Sequence, residues 1–134
     1  MTVRKNTDNG HSFEDYFKRT VNPMLILSFL QDRPKYAYEM TLEMKERSGG
    51  AYTMPLLYPV LYRLQSQGYV EAAQQVVSES NRMRIYYRIT PAGRVYLREI
   101  KAEYLRLCGL VERMVDFSTS DELPDQKTEV DKKS

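Results

Sequence analysis

Residues 53–68 read Thr-Met-Pro-Leu-Leu-Tyr-Pro-Val-Leu-Tyr-Arg-Leu-Gln-Ser-Gln-Gly, and this stretch restricts the possible folds more than any other. Its apolar residues recur every three or four positions with polar residues between them, which predicts an amphipathic helix. Thr53 can cap the first free amides, Pro55 lies early enough to be tolerated, and Gly68 is the residue type that ends such a helix. Pro59 predicts a slight bend in the first two turns, because it removes one intrahelical hydrogen bond.

Three helices are predicted ahead of this stretch. Ser12, followed three residues later by Asp15, has the form of a capping box and begins a short amphipathic helix. Asn22 and Pro23 are a cap and a first helical position, and they open an apolar helix that belongs near the centre of the fold. A third helix is predicted over 36–48, and the glycines after it provide the turn into residues 53–68.

A β-hairpin and a long helix are predicted after this stretch. Residues 69–77 and 83–89 have strand character and are separated by a polar tip. A helix-turn-helix followed directly by a hairpin is the element order of a winged helix. Thr90 and Pro91 then begin the longest helix, which we expect to end near residue 117. The predicted fold class is mainly α with a small β-hairpin.

An apolar seam runs along the longest helix with alternating steps of three and four residues. That period is typical of helices that pair, and the seam is longer than a small domain can cover, so we expect a C-terminal dimerisation helix. The aromatic stripe of the first helix also requires a cover, either the domain's own core or a second subunit. The candidate dimerisation residues are Phe13, Tyr16, Phe17, Leu97, Ile100, Tyr104, Leu107, Val111 and Met114.

Length and charge set the organisation of the chain. With 134 residues we expect a mobile arm over 1–11, a winged helix-turn-helix domain over 12–90, the dimerisation helix over 91–117 and a disordered acidic tail over 118–134. The tail holds five acids and three lysines, a net −2, so the overall +2 leaves +4 on residues 1–117. This balance permits a polyanionic partner.

Several function classes find no support in the composition. The single Cys108 excludes an internal disulfide and fits a reducing compartment or a small core residue. The one histidine, His11, leaves no Cys/His pair or metal cluster in a packed site, and no phosphate-binding glycine motif occurs. No apolar run is long enough for a membrane span or a signal peptide. We therefore expect a cytoplasmic protein without enzymatic activity, metal or cofactor.

Four segments together resemble the PadR-type transcriptional regulators. The segment Leu-Tyr-Pro-Val-Leu-Tyr-Arg-Leu at 57–64, followed by Gly-Tyr-Val at 68–70, is similar to the recognition-helix signature of that family. The further matches are Tyr-Ala-Tyr-Glu at 36–39, Arg-Ile-Tyr-Tyr-Arg at 84–88 and Thr-Pro-Ala-Gly-Arg at 90–94. The resemblance covers about 23–96, and the single long helix is similar to the shorter subgroup. It implies a homodimeric repressor that binds a pseudo-palindromic operator in double-stranded DNA and releases it when a small molecule binds.

The candidate DNA-binding residues lie on the predicted recognition helix, the helix before it and the hairpin tip. They are Tyr38, Thr53, Met54, Leu56, Tyr58, Tyr62, Arg63, Arg82 and Arg84. Leu56 or Met54 can contact a thymine methyl or else cover the core, and Arg63 can read guanine or bind phosphate. Arg82 and Arg84 are expected to project from the hairpin tip towards the minor groove or the phosphate backbone.

Two departures from the family pattern keep alternatives open. Pro55 and Leu56 stand where the family usually has glycine and threonine, and Asn81 stands where glycine is frequent. A winged-helix protein-interaction module that has lost DNA binding is therefore an alternative, and a small-molecule binding protein is a third class. A pocket for a planar aromatic effector would be lined by Tyr16, Tyr96, Leu97, Ile100 and Tyr104, although such stripes also form plain core.

Overall fold

The computed structural model describes residues 12–118, so the predicted arm over 1–11 and the predicted tail after residue 118 lie outside the described residues. In chain order the elements are α1 Phe13–Phe29, β1 Lys35–Tyr36, α2 Ala37–Ser48, α3 Leu57–Ser66, β2 Val70–Val77, β3 Met83–Ile89 and α4 Pro91–Met114. The helix-turn-helix formed by α2 and α3 is followed by a hairpin and a long helix. The predicted winged-helix fold class is confirmed.

The first helix is longer than predicted. Ser12 accepts a hydrogen bond from the Asp15 amide at 3.1 Å, and the Asp15 carboxylate accepts one from the Ser12 amide at 3.3 Å, which confirms the capping box. The predicted break at Asn22 and Pro23 is wrong, because Pro23 lies inside α1. Asn22 is buried and accepts a hydrogen bond from the Tyr52 hydroxyl at 2.6 Å. Burial of the apolar residues that follow offsets the backbone hydrogen bond that the proline cannot donate.

The recognition helix begins later than predicted. Leu57 is its first residue, Leu56 is the N-cap, and Thr53 does not cap it. The Leu56 carbonyl accepts a hydrogen bond from the Val60 amide at 3.4 Å. Pro59 is thereby the third residue of α3, where a backbone N–H would have no intrahelical acceptor. Pro59 therefore removes no intrahelical hydrogen bond, which was the expected cause of a bend. Its ring crowds the carbonyl of Pro55, which disfavours helix before Leu57 and accounts for the late start of α3.

One hydrophobic core joins the first three helices, the sheet and the start of α4. Its fully buried members are Ile26, Leu27, Leu30, Met40, Leu61, Leu64 and Val70. Leucines at every third or fourth position of α3 belong to this core. The opposite side of α3 consequently faces solvent.

The sheet has the order β1-β3-β2, with both pairings antiparallel. The predicted hairpin is confirmed, but β1 was not predicted, because a strand of two residues cannot show an alternating pattern. Lys35 in β1 is only 4% exposed, and its ammonium lies 2.8 Å from a carboxylate oxygen of Glu43 and 3.2 Å from one of Asp32. The hydrogen bond from Lys35 is the largest cause that lowers the pKa of the Asp32 carboxyl below its ordinary value of 3.8.

Thr90 caps the start of α4, as the sequence predicts, and also joins it to the turn between α3 and β2. The Thr90 hydroxyl accepts a hydrogen bond from the Gly93 amide at 3.0 Å and donates one to the Gly68 carbonyl at 2.7 Å. Gly93 packs so closely that a Cβ atom there would collide with the Tyr69 carbonyl oxygen and lie 2.8 Å from Cγ1 of Ile89. Glycine is therefore required at this position for α4 to approach the strand.

The chain divides into two units, residues 1–101 and 102–134, and α4 runs through the division. In the first unit, Leu97 is buried and Ile100 packs against the core. In the second unit, Tyr104 and Cys108 lie one helical turn apart, and their hydrogen bond raises the pKa of Tyr104. The helix ends at Met114, three residues before the predicted end.

No helix within residues 12–118 combines the length and the apolar character needed to cross a membrane.

Candidate nucleic-acid interface

The side of α3 that faces away from the core carries, together with its N-cap, four of the nine predicted DNA-binding residues. Leu56 is 66% exposed at the N-cap, and Tyr58 and Tyr62 are exposed on the helix. The side chain of Arg63 is exposed on the same flank of the helix as Leu56, two turns further along. The buried leucines of α3 hold this surface towards solvent. It has the position that a recognition helix needs to enter a major groove.

Three tyrosines cluster along α3 and the neighbouring strand. The ring centroids of Tyr58 and Tyr62 are 5.7 Å apart. Tyr87 of β3 is buried, and this burial, together with the nearby Tyr62 and Tyr58, raises the pKa of its hydroxyl. The Tyr87 hydroxyl therefore stays protonated at neutral pH and contributes no negative charge to a surface that would meet phosphate.

The loop before α3 is tied to α1. The Lys18 ammonium donates a hydrogen bond to the Thr53 carbonyl at 2.8 Å and lies 4.7 Å from the ring centroid of Tyr52. The same ammonium pairs with Glu14 at 3.0 Å. Burial, and next the charge of Glu14, raise the pKa of Tyr52, whose hydroxyl bonds Asn22. Sequence reasoning missed these contacts because the partners are 35 and 30 residues apart, and no local pattern joins them.

Leu56 and Met54 were both considered for contact with a thymine methyl, and only Leu56 is exposed. Met54 is 8% exposed and belongs to the core cluster, so the assignment of Met54 to DNA contact is corrected here. The sequence left core packing of Met54 as the alternative, and the burial of its side chain supports that alternative. Thr53 is exposed, but only its backbone carbonyl has a described hydrogen bond.

The start of α2 presents Tyr38 to solvent next to a group of charges. Tyr38 is exposed, and the following Glu39 accepts a hydrogen bond from the Tyr36 amide at 3.1 Å. Arg33 pairs with Glu39 at 3.0 Å, and this hydrogen bond raises the pKa of the arginine. These contacts fix the first turn of α2, and with it the position of Tyr38.

The two arginines of the wing differ in their setting. Arg82 is exposed in the tip, where its amide bonds the Ser78 side chain at 3.2 Å. Arg84 does not project from the tip as expected, because it lies within β3 and is half-buried, with its guanidinium carbon 4.5 Å from the ring centroid of Tyr36. The backbone of Asn81 has φ +63°. Glycine adopts this region most readily, which explains why glycine is frequent at this position in the family pattern.

The predicted dimerisation residues fall into two groups. Leu97 is 2% exposed and packed in the core of its own unit, so its assignment to the subunit seam is corrected, and Ile100 packs partly against the same core. The tyrosine ring of Tyr96 stacks on that of Tyr69 at 4.2 Å, and Tyr104 is half-buried. The exposed members are Phe13, Tyr16, Phe17, Leu107, Val111 and Met114.

Within the part of the chain that the structure describes, no group of three or more His, Cys, Asp or Glu side chains could hold a metal ion.

Comparisons with known proteins agree with this geometry. The profile of the transcriptional regulator PadR-like family matches residues 26–99. The transcriptional regulator Rv3488 of Mycobacterium tuberculosis is 36% identical over 83 residues, which cover 62% of this chain and 75% of that protein. The crystal structure of a PadR family transcriptional regulator from Eggerthella lenta is 31% identical with a TM-score of 0.66, covering 82% of this chain and 95% of that one. A transcriptional regulator from Clostridium thermocellum also has a TM-score of 0.66, at 26% identity, with 75% of this chain and 98% of that one covered.

Proposed function

Because the chain belongs to the PadR-like family of transcriptional regulators, we propose that it binds a pseudo-palindromic operator in double-stranded DNA as a homodimer and represses transcription. We further propose that a small aromatic effector releases the operator. The protein acts in the cytoplasm, where the DNA is, and has no catalytic role. The family consists of transcription regulators rather than enzymes.

The observation that carries the DNA-binding proposal is the exposed side of α3. Its buried leucines hold it firmly, and its exposed residues begin at the N-cap, the end of a recognition helix that contacts base edges. Arg82 in the wing tip supplies a positive charge for a phosphate, and residues 1–117 carry a net +4. Arg84, with its guanidinium over the Tyr36 ring, lies in the same hairpin.

Dimerisation is supported by two exposed apolar stripes. Phe13 is 84% exposed, and its ring lies 6.3 Å from that of Phe17 on the first turns of α1. On α4, Leu107, Val111 and Met114 continue the three- and four-residue steps of the seam and are exposed, Met114 to 77%. Apolar stripes with this period are typical of helices covered by another helix, and a second copy of the chain has the matching stripe.

The effector proposal rests on the family resemblance and on the tyrosines and methionines of the chain. Of the five candidate pocket residues, Leu97 is already buried and Tyr96 already has a ring partner in Tyr69. We propose that a planar ligand would contact Tyr16 and Ile100, both in the first unit, where a second copy of the chain covers them.

One feature favours a second candidate function, a protein-interaction module. Leu56 presents a large apolar side chain to solvent at the front of α3, where the family usually has a small polar residue. An apolar surface on a protein partner could bury the Leu56 side chain to the same extent as DNA. Salt separates the two functions, since contacts between arginines and phosphates weaken steeply as salt rises and an apolar interface does not.

The experiment is a fluorescence-anisotropy titration against a duplex from the gene's own upstream region and against a scrambled duplex, at low and physiological salt. We expect tight binding to the first duplex only. Arg82→Ala should weaken binding and lower the salt slope by about one for each phosphate contact removed. Arg98→Ala, a charge change on the exposed side of α4, is the matched control. If neither duplex binds beyond a weak, salt-labile association, the repressor function is wrong.

A further inference from the structure

We propose that this chain reads its half-site mainly through thymine methyl groups, and that Leu56 is the residue that contacts them. The inference rests on the proposed DNA-binding function and names the class of sequence that function would select. It commits to Leu56 alone, since Met54 lies in the core.

The first argument is the chemistry of the exposed side of α3 and the turn before it. Between residues 55 and 62 every exposed side chain is apolar or aromatic; these residues are Pro55, Leu56, Tyr58, Pro59 and Tyr62. The side chains that discriminate bases by paired hydrogen bonds are arginine, lysine, asparagine, glutamine and the acids, and none of them occurs in this segment. The N-terminal part of the recognition helix therefore has little with which to read polar base edges.

The second argument is the position of Leu56. It is the N-cap of α3, and the N-terminal residues of a recognition helix reach the base edges first. Its backbone is fixed on both sides, by the hydrogen bond from the Val60 amide to its carbonyl and by the Lys18 contact to the Thr53 carbonyl. Because the backbone is already held, binding costs little further backbone entropy, and only the rotamer freedom of the leucine side chain opposes the burial of its apolar surface.

The third argument is what the major groove offers. The C5 methyl of thymine is the apolar group on the major-groove edge of the base pairs, and the other features there are hydrogen-bond donors and acceptors. Contact between an exposed leucine and the thymine methyl favours binding. Contact with a polar base edge disfavours it, because the leucine would desolvate hydrogen-bonding groups without pairing them.

The remaining hydrogen-bonding groups support a division of labour along the helix. The hydroxyls of Tyr58 and Tyr62 can both donate and accept, so they discriminate weakly between bases. Arg63 lies two turns after Leu56 on the same flank, where it can bind a phosphate or one guanine at the end of the half-site. The predicted half-site is therefore rich in thymine where the N-terminus of α3 lies.

The test replaces thymidine by deoxyuridine, which keeps the base pair and its hydrogen-bonding edge and removes only the methyl. A duplex selected by the full-length protein from a pool with a random centre would be synthesised with deoxyuridine at each thymidine position in turn. We expect the dissociation constant to rise about fourfold for each methyl that is buried against the protein. In Leu56→Ala the dissociation constant should rise on the thymine duplex, and the uracil penalty at those positions should disappear.

Leu105→Ala is the matched control, because Leu105 is also an exposed leucine but lies on α4 away from the seam. It should keep the full uracil penalty. If uracil costs nothing at any position while the duplex still binds, the thymine proposal is overturned and DNA binding stands. If the penalty persists in Leu56→Ala, another residue or the shape of the DNA reads the methyl, and the assignment to Leu56 is wrong. If no duplex is selected at all, the DNA-binding function itself fails.

Discussion

The Tyr52 hydroxyl lies 2.6 Å from the side-chain oxygen of Asn22, and this hydrogen bond joins the loop before the recognition helix to the middle of the first helix. Both partners have limited contact with water, Asn22 being buried and Tyr52 half-buried. A buried polar atom that loses its partner destabilises the fold, because water cannot reach it to replace the lost hydrogen bond. The hydrogen bond therefore contributes both to stability and to the position of the loop.

Tyr52→Phe should lower the free energy of unfolding by about 1–3 kcal/mol, because Asn22 loses a hydrogen-bond donor. Urea denaturation followed by circular dichroism would measure it. Tyr38→Phe is the matched control, since Tyr38 is exposed and its hydroxyl should contribute within about 0.5 kcal/mol. Equal losses in the two variants would contradict the role given to the Tyr52–Asn22 hydrogen bond.

The two glycines of α4 should respond in opposite directions to alanine. Gly93→Ala places a Cβ against the Tyr69 backbone, so the helix must shift, and we expect a loss of about 1–3 kcal/mol. Gly109→Ala meets no atom within 4 Å and gains helix propensity, so we expect a gain of up to about 1 kcal/mol. Denaturant midpoints at one fixed protein concentration would compare them. A stabilised Gly93→Ala variant would refute the close approach.

Lys35→Met should destabilise the fold by about 1–3 kcal/mol, because Glu43 loses its buried partner and keeps only its ion pair with the exposed Arg47. Chemical denaturation would measure the loss, and Lys45→Met, at an exposed position of α2, is the control and should change little. An unchanged free energy of unfolding in Lys35→Met would show that the buried ion pair is not stabilising.

The same variant should alter the dependence of stability on pH. The pKa of Asp32 in the folded protein lies below 3.8, so its contribution is present above that value and is lost as pH falls through the folded pKa. Since the hydrogen bond from Lys35 is the first cause of the shift, Lys35→Met should reduce the fall in stability as the pH drops into the range below 3.8. Denaturant titrations across that range in both proteins would reveal whether the slopes differ.

Leu107→Asp should dissociate the proposed dimer, because it places a charge in the exposed seam of α4. Sedimentation equilibrium would give the dissociation constant, which we expect to rise by more than about tenfold, the equivalent of 1.4 kcal/mol. Leu105→Asp adds the same charge away from the seam and should leave the dimer intact. A wild-type protein that sediments as a monomer would contradict the dimer itself.

The sequence was sufficient for the helix-turn-helix, the hairpin and the long last helix, and it failed where distant residues decide. Prolines were read as local start signals, but the packing of α1 carries the chain helically through Pro23, and Pro59 fits the first turn of α3. The strand β1 has no periodicity to detect. Met54 was open between DNA contact and core, and Leu97 was assigned to the subunit seam; both are core, because burial depends on which elements meet in space. The contact between Lys18 and Thr53 spans 35 residues and leaves no trace in a local pattern.

The unbroken first helix has a geometric consequence for the operator. Its early turns carry the exposed Phe13, and later turns hold the loop before the recognition helix through Lys18 and Asn22. In the proposed dimer this continuous helix links Phe13, one part of the interface, to the loop that positions the recognition helix, and it thereby contributes to the half-site spacing that fits. One extra residue inserted between Phe17 and Lys18 would rotate these two groups by about 100° relative to each other. The spacing of the two half-sites along the DNA therefore depends in part on α1, a helix whose residues need not contact the bases.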